Sequence, residues 1–169
     1  MFYQEALGAA DPEATFCCTF PVSLRLCRRA DLRDLEWFGM FRPDRHVIEQ
    51  AFAHQQEGKN LMFLADANRF PIGQVWIKLA EKGSQGVGVL WALRVLPPFQ
   101  SQGIGTRLIA YAESELAARG FQFAELSVAR DNPRAKKLYQ RLGYKIAHSE
   151  EDAAENEWTL RKSLKPVAR

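Results

Sequence analysis

The stretch Gln100-Ser101-Gln102-Gly103-Ile104-Gly105-Thr106-Arg107-Leu108 decides the reading of this chain. It follows an apolar segment, residues 88–96, closed by Pro97-Pro98, and opens a helical pattern with Leu108, Ile109, Ala112 and Leu116 on one face. A strand that runs through a glycine-rich turn into a helix start is a place to hold phosphate. Glycines let the backbone come close to a ligand, and the first helical N–H groups have no partner inside the helix. Those amides and the positive end of the helix dipole together favour an anion. A nucleotide P-loop would need Lys-Ser or Lys-Thr after its second glycine, where Thr106-Arg107 follows Gly105 here. A dinucleotide fingerprint would need a third small residue at the place of Leu108, and a βαβ unit near the chain start. Neither fits. Glycines that merely shape a strand-to-helix connection are the plainer alternative.

A second motif, Asn132-Pro133-Arg134-Ala135-Lys136-Lys137-Leu138-Tyr139-Gln140-Arg141-Leu142-Gly143-Tyr144, reads locally as a well-marked helix. Asn132 suits the N-cap, Pro133 the first helical position and Gly143 the left-handed C′ site. Ala135, Leu138, Tyr139 and Leu142 recur at helical spacing and form the buried stripe. Taken alone, Tyr139 is a core tyrosine and Asn132 a cap.

The two motifs together, in this order and with one strand between them, resemble the signature of the Gcn5-related N-acetyltransferase (GNAT) superfamily. Its members carry a Gln/Arg-x-x-Gly-x-Gly/Ala loop and, in many cases, an Asn-x-x-Ala-x-x-x-Tyr helix ending in Leu-Gly-Tyr/Phe. The resemblance extends over roughly residues 22–163.

The remaining sequence is consistent with it. A chain of 169 residues with 47% hydrophobic and 25% charged content suits one soluble domain with a substantial core. We expect residues 21–169 to form a single N-acetyltransferase domain and residues 1–20 an arm or flap. A net charge of +3 makes no demand for nucleic acid or an anionic membrane surface. No apolar run is long enough to span a bilayer, and the start, with Glu5 and Asp11, does not read as a signal peptide. Cys17, Cys18 and Cys27 lack metal-ligand spacing, so reduced thiols, a cytoplasmic location and no metal are expected.

Strands are expected at residues 22–27, 61–65, 72–79, 88–96, 121–128, 144–148 and 158–162, with a hairpin around Asp66-Ala67-Asn68-Arg69. Asp31 can cap a helix containing Leu32, Leu35, Glu36 and Phe38, and Pro43-Asp44 can start another with Val47, Ile48, Ala51 and Phe52 inward. Residues 81–86 read as a loop, and the glycine-loop helix runs to Arg119-Gly120. The fold class is α/β (α+β), and the order is β-α-α-β-β-β-α-β-α-β-β. The resemblance implies a mixed, mostly antiparallel sheet of six to seven strands, helices on both faces and a splayed central strand pair.

It also implies roles. The pantetheine arm of acetyl-CoA would lie in the splayed gap like an extra strand, on main chain near Leu93, Arg94 and Val95. The loop from Gln100 and Ser101 onward would hold the pyrophosphate, on the amides of Gln102, Gly103, Ile104, Gly105 and Thr106. Asn132 and Ala135 would complete the cofactor site. Arg107, Arg134 and Lys137 would meet the remaining phosphate charge, unless they form only a solvated helix face. Tyr139 would protonate the departing thiolate as general acid, and transfer would be direct, without an acyl-enzyme.

The base is less determined. Many members carry a glutamate at the position of Val89, and members acting on protein N-termini often carry one at that of Ser127; this chain has neither. Glu125 shares a strand face with Ser127 and is the catalytic candidate, against a plain strand carboxylate. Glu36, Asp44, His46 and Glu49 lie in the segment that lines the acceptor site in many relatives. The resemblance implies a primary amine of a small molecule or peptide as acceptor. Of Trp37, Phe38, Phe41, Trp76 and Trp91, at least three are expected to be core, and any left exposed favour an aromatic, aliphatic or polyamine-like acceptor over a strongly acidic one. A homodimer stays open. The alternative to an enzyme is a catalytically weak acyl-CoA-binding or regulatory module of the same fold.

Overall fold

A computed structural model of the chain describes residues 19–79, 86–147 and 156–165. The expected arm up to residue 18, the loop at 81–85, Cys17, Cys18 and His148 lie outside the described residues. The elements run β1 (Val22–Leu26), α1 (Arg45–Gln56), β2 (Asn60–Ala67), β3 (Phe70–Leu79), β4 (Val87–Val95), α2 (Ile104–Ala118), β5 (Phe123–Ala129), α3 (Pro133–Arg141), β6 (Lys145–Ile146) and β7 (Glu157–Ser163). The strands form a seven-stranded sheet in the order β1-β2-β3-β4-β5-β7-β6. Only β4 and β5 run parallel. Helix α2 is the crossover that such a parallel pair requires.

The hairpin between β2 and β3 turns on Asn68 and Arg69, both at positive φ (51° and 66°), as a tight two-residue connection demands. The Asp66 carboxylate accepts from the Arg69 N–H at 3.0 Å and so ties the turn down. One face of the sheet is covered by Ile104, Leu108, Ile109, Ala112 and Leu116 of α2, packed with Phe63, Val75, Leu90 and Leu126 of the strands. The other carries Ile48, Ala51 and Phe52 of α1 on Met62, Leu64 and Trp76. Gln55 fastens α1 to the sheet, donating to the Cys27 carbonyl at 2.9 Å and accepting from Met62 N–H at 2.8 Å.

The expected helix beginning at Asp31 does not form. Residues Arg29–Asp31 and Asp34–Glu36 are short 3₁₀ turns, and Trp37, Phe38 and Gly39 all have positive φ. Leu35, Glu36 and Trp37 are three consecutive buried residues. Three neighbours on a helix spread over some 200° and cannot share one buried face. The coiled path instead seats Trp37, whose indole N–H donates to the Pro71 carbonyl at 2.8 Å.

The first strand is secured by charge. Arg25 makes a two-pronged bond to Asp31 (2.7 and 2.8 Å) and also binds Asp66, joining β1, the 3₁₀ segment and the hairpin. Burial pushes the Asp31 carboxyl up, but the bonds from Arg25 and the Arg28 N–H outweigh it and hold it below its ordinary value. A depressed folded pKa gives stability that is complete above the unfolded value of about 3.9 and vanishes as pH falls through the folded one. Urea unfolding should therefore find Asp31→Asn less stable than the parent near pH 7, with the gap closing below about pH 4. Removing the guanidinium by Arg25→Met should cost on the order of 3 kcal/mol at neutral pH.

Packing also fixes Gly88 on β4, since a Cβ there would lie 2.2 Å from Leu116 Cδ2 of α2. Gly88→Ala should lower stability by about 1–3 kcal/mol in thermal unfolding.

Candidate active site

The site begins where β4 leaves β5. The two strands are in register only from Val87↔Phe123 to Leu90↔Leu126, and residues 91–95 have no β5 partner. A bulge lies between the pairs Trp76↔Trp91 and Gln74↔Arg94, where two residues of β4 oppose one of β3. Ala92 in that bulge has φ 51°, a left-handed conformation that a residue with a Cβ adopts only under constraint. The strand then returns to β3, with Leu96 N–H donating to the Ile72 carbonyl at 2.9 Å. The result is a cleft of about 330 Å³ lined by Trp91, Ala92 and Leu93 on one side and by Leu126, Ser127, Val128 and Ala129 on the other, with Tyr139 of α3 beside them.

A second groove of about 560 Å³ continues it, sharing Leu93, Asn132, Ala135 and Leu138 and passing under the glycine loop to Arg134 and Arg141. Gly103 is the N-cap of α2 with φ 81° and no side-chain cap. The first helical bond runs from Arg107 N–H to the Gly103 carbonyl at 3.0 Å, so the amides of Ile104, Gly105 and Thr106 have no partner within the helix. A Cβ built on Gly103 would meet nothing within 4 Å, and one on Gly105 would meet only Val95 Cγ2 at 3.8 Å. The space over these amides is open, as a closely approaching phosphate chain requires.

The loop braces itself. Gln100 donates to the Val95 carbonyl at 2.9 Å, Gln102 to the Pro98 carbonyl at 3.1 Å, and Arg134 to Ser101 Oγ at 2.9 Å. Asn132 Oδ1 accepts from Ala135 N–H at 3.0 Å, which caps α3 and sets its face toward the groove. Leu93, Val95, Gln100, Ser101, Gly103, Ile104, Gly105, Thr106, Asn132, Arg134 and Ala135 all line the groove. Arg107 faces a different depression beside β1, with Phe20 and Tyr111, and Lys137 lines neither cleft. Arg141 was not singled out by the sequence reading. Its signal was there: residues 134, 138 and 141 share one helix face.

Tyr139 is buried, its ring meets that of Tyr144 edge-on at 5.9 Å, and burial pushes its hydroxyl above the ordinary value. It therefore stays protonated through the neutral range. Glu125 does not line the cleft; its Oε2 takes two bonds from Arg161 of β7, at 2.8 and 2.7 Å. It lies two residues before Ser127, on the same strand face.

Glu36 is held by Arg45 at 2.6 Å, which keeps its carboxyl below the ordinary range, and with Glu49 it lines a groove against the outer side of α1. His46 is exposed. None of the three lines the cleft between the splayed strands. Trp37 and Trp76 are core and Phe41 packs against both core clusters, whereas Phe38 is 89% and Trp91 37% exposed. Cys27 is a buried free thiol, pushed up to about 12 chiefly by burial. Among the described residues, no group of three or more His, Cys, Asp or Glu is placed to hold a metal ion, and no helix is long and apolar enough to cross a membrane.

The model of the acetyltransferase (GNAT) family matches residues 29–144. An aminoalkylphosphonate N-acetyltransferase from Salmonella typhimurium is 40% identical over 62 residues, 37% of this chain and 40% of that protein. A mycothiol acetyltransferase from Streptomyces avermitilis is 35% identical over 82 residues, 48% of this chain and 26% of that protein. The chain thus spans less than half the length of either relative. In fold, it is similar to the PaiA N-acetyltransferase of Thermoplasma acidophilum solved in complex with coenzyme A, with a TM-score of 0.71 over 85% of this chain and 99% of that one, at 19% identity.

Proposed function

Because this chain belongs to the acetyltransferase (GNAT) family, we propose that it is an acetyl-CoA-dependent N-acetyltransferase acting directly on a primary amine of a small molecule or peptide. In this reading residues 21–169 would make up a single N-acetyltransferase domain. The observation that carries the reading is the cleft opened by the β4 bulge and continuous with the groove under the glycine loop.

These residues fit the cofactor. The main chain of Leu93, Arg94 and Val95, which has no β5 partner, would take the pantetheine arm once Gln100 yields the Val95 carbonyl, and the open amides of residues 102–106 the pyrophosphate. Arg134 and Arg141 supply positive charge along the same groove. When bound, acetyl-CoA supplies the acyl group in activated, thioester form. The main-chain N–H of Leu93 would stabilise the negative charge that develops on the acyl oxygen. Tyr139, kept neutral by burial, would give its proton to the sulfur that departs.

An amine of the lysine type titrates near about 10.4 and must lose a proton before it attacks. Glu125 is the carboxylate nearest the cleft along β5, and Arg161 occupies only its Oε2. We assign it the role of base, acting through water. A non-catalytic acyl-CoA-binding module has one observation in its favour: none of the residues lining the inner cleft is Asp, Glu or His.

Calorimetric titration with acetyl-CoA, CoA and dephospho-CoA tests the cradle. Gly103→Glu should abolish binding, because its carboxylate would meet the pyrophosphate, while the fold survives at a cost of roughly 1–2 kcal/mol for a side chain at positive φ. Unaltered affinity would remove the loop assignment.

Tyr139→Phe should lower kcat by about 100-fold with little change in cofactor affinity. Glu125→Gln should lower kcat/KM by about 100-fold or more near pH 7 and recover as pH approaches the acceptor's own pKa. Undiminished CoA binding with no acetylation of any amine would leave the binding-module reading in place.

A further inference from the structure

We infer that Gln74 and Arg94 form an oxyanion-recognising pair on the acceptor side of the sheet, so that the amine acetylated here carries a carboxylate or phosphonate of its own. This rests on the acetyltransferase reading above. The β3–β4 register pairs Gln74 with Arg94 and Trp76 with Trp91, and the bulge between the pairs keeps all four on one face. Trp91 belongs both to this face and to the lining of the inner cleft.

Gln74 is completely buried. One of its amide atoms lies 2.9 Å from the indole nitrogen of Trp76, and an indole N–H can only donate, so that atom is the oxygen. The other is then Nε2, a donor with no partner among the described residues. Buried donors are nearly always satisfied, so this one points to an acceptor that the chain itself does not supply.

Arg94 tells the same story from the neighbouring strand. Among the described residues three arginines are half-buried: Arg25, Arg94 and Arg161. Arg25 is neutralised by Asp31 and Asp66, and Arg161 by Glu125. Arg94 alone has no carboxylate and no hydrogen-bond acceptor among the described residues; its guanidinium lies 4.1 Å over the ring of Phe41. Stacking on a ring holds the guanidinium plane in place and leaves its rim of N–H groups free.

Two neighbouring side chains that donate and offer no free acceptor select a group with several acceptor oxygens. They also repel a second ammonium, so a polyamine is the wrong acceptor, despite the aromatic surroundings that suggested it. From Trp91, at the cleft, to Arg94 the strand advances by about two residue steps, roughly 7 Å. That distance places the amine and the acid on one small molecule. Carboxylate and phosphonate share the required chemistry, and the choice of probes separates them.

The test compares β-alanine and 2-aminoethylphosphonate with propylamine and putrescine as acceptors. The acid-bearing amines should exceed the others in kcat/KM by at least about 10-fold. Arg94→Met should erase that advantage through KM, bringing the four amines level, and Arg94→Lys should retain part of it. A packing role for Arg94 would instead depress all four amines alike, which overturns the inference.

Binding without turnover gives a second readout, by tryptophan fluorescence with methylphosphonate and β-alanine. Weaker binding in Arg94→Met and in Gln74→Met supports the pair. Equal binding in parent and variants, or none in the parent, overturns it. Should no amine be acetylated, the acetyltransferase reading fails, and the fluorescence titration still decides the oxyanion pair.

Discussion

The site depends on the way β4 is held on one side and released on the other. Below the bulge, Gly88 lets β4 approach α2 so closely that no side chain fits, and the β5 pairing is intact. Above it, Leu96 still bonds to β3 while β5 supplies no partner. Ala92 absorbs the mismatch in a left-handed conformation that costs on the order of 1–3 kcal/mol. That conformation persists because the strands around it over-determine it. A strand bonded on one side only has spare main-chain groups, and within a sheet these are available to a ligand of strand-like shape.

Charge is distributed to the same end. The carboxylates near the core are committed: Asp31 and Asp66 to Arg25, Glu36 to Arg45, Glu113 to Lys162 and Glu125 to Arg161. A net charge of +3 therefore understates the local imbalance, because the cations without a carboxylate include those along the ligand groove. Arg134 and Arg141 stand by the glycine loop, and Arg94 on the opposite face of the sheet. On the proposals above, anionic ligands would be favoured on both approaches.

The parts legible in the sequence were those with a local physical signature. The glycine loop, the capped α3, the inward stripes of α1 and α2 and the turn at Asn68-Arg69 all follow from spacing and turn chemistry, and each strand lies within a few residues of its expected place. The segment after Asp31 was misread as a helix because Leu32, Leu35 and Glu36 fit its period; what they could not reveal is that Leu35, Glu36 and Trp37 are all buried by tertiary contacts. Glu36 and Glu49 were expected near the acceptor from the family resemblance, and the structure places both in a groove beside α1. The bulge has no signature either: Ala92 is an ordinary strand residue until its neighbours force it. Arg141 shares a helix face with Arg134 in the sequence, but only the groove brings that face to the glycine loop, and only tertiary packing leaves Arg94 stacked on Phe41 without a carboxylate among the described residues.

The splay also bears on where protons can move. Tyr139 packs with the α2 side of the sheet, whereas Glu125 projects from the other face of β5. In a closed sheet the two could not act on one ligand, because a layer of backbone would separate them. Where β4 and β5 part, that layer is missing, and a group in the gap is reachable from both faces. The acid proposed on one face and the base proposed on the other would suit a reaction in which one atom leaves as another attacks. A covalent relay through Cys27 does not suit it, for that thiol is buried among the α1 cluster and holds its proton up to about pH 12. The strand geometry proposed to make room for the cofactor would thus also permit direct transfer.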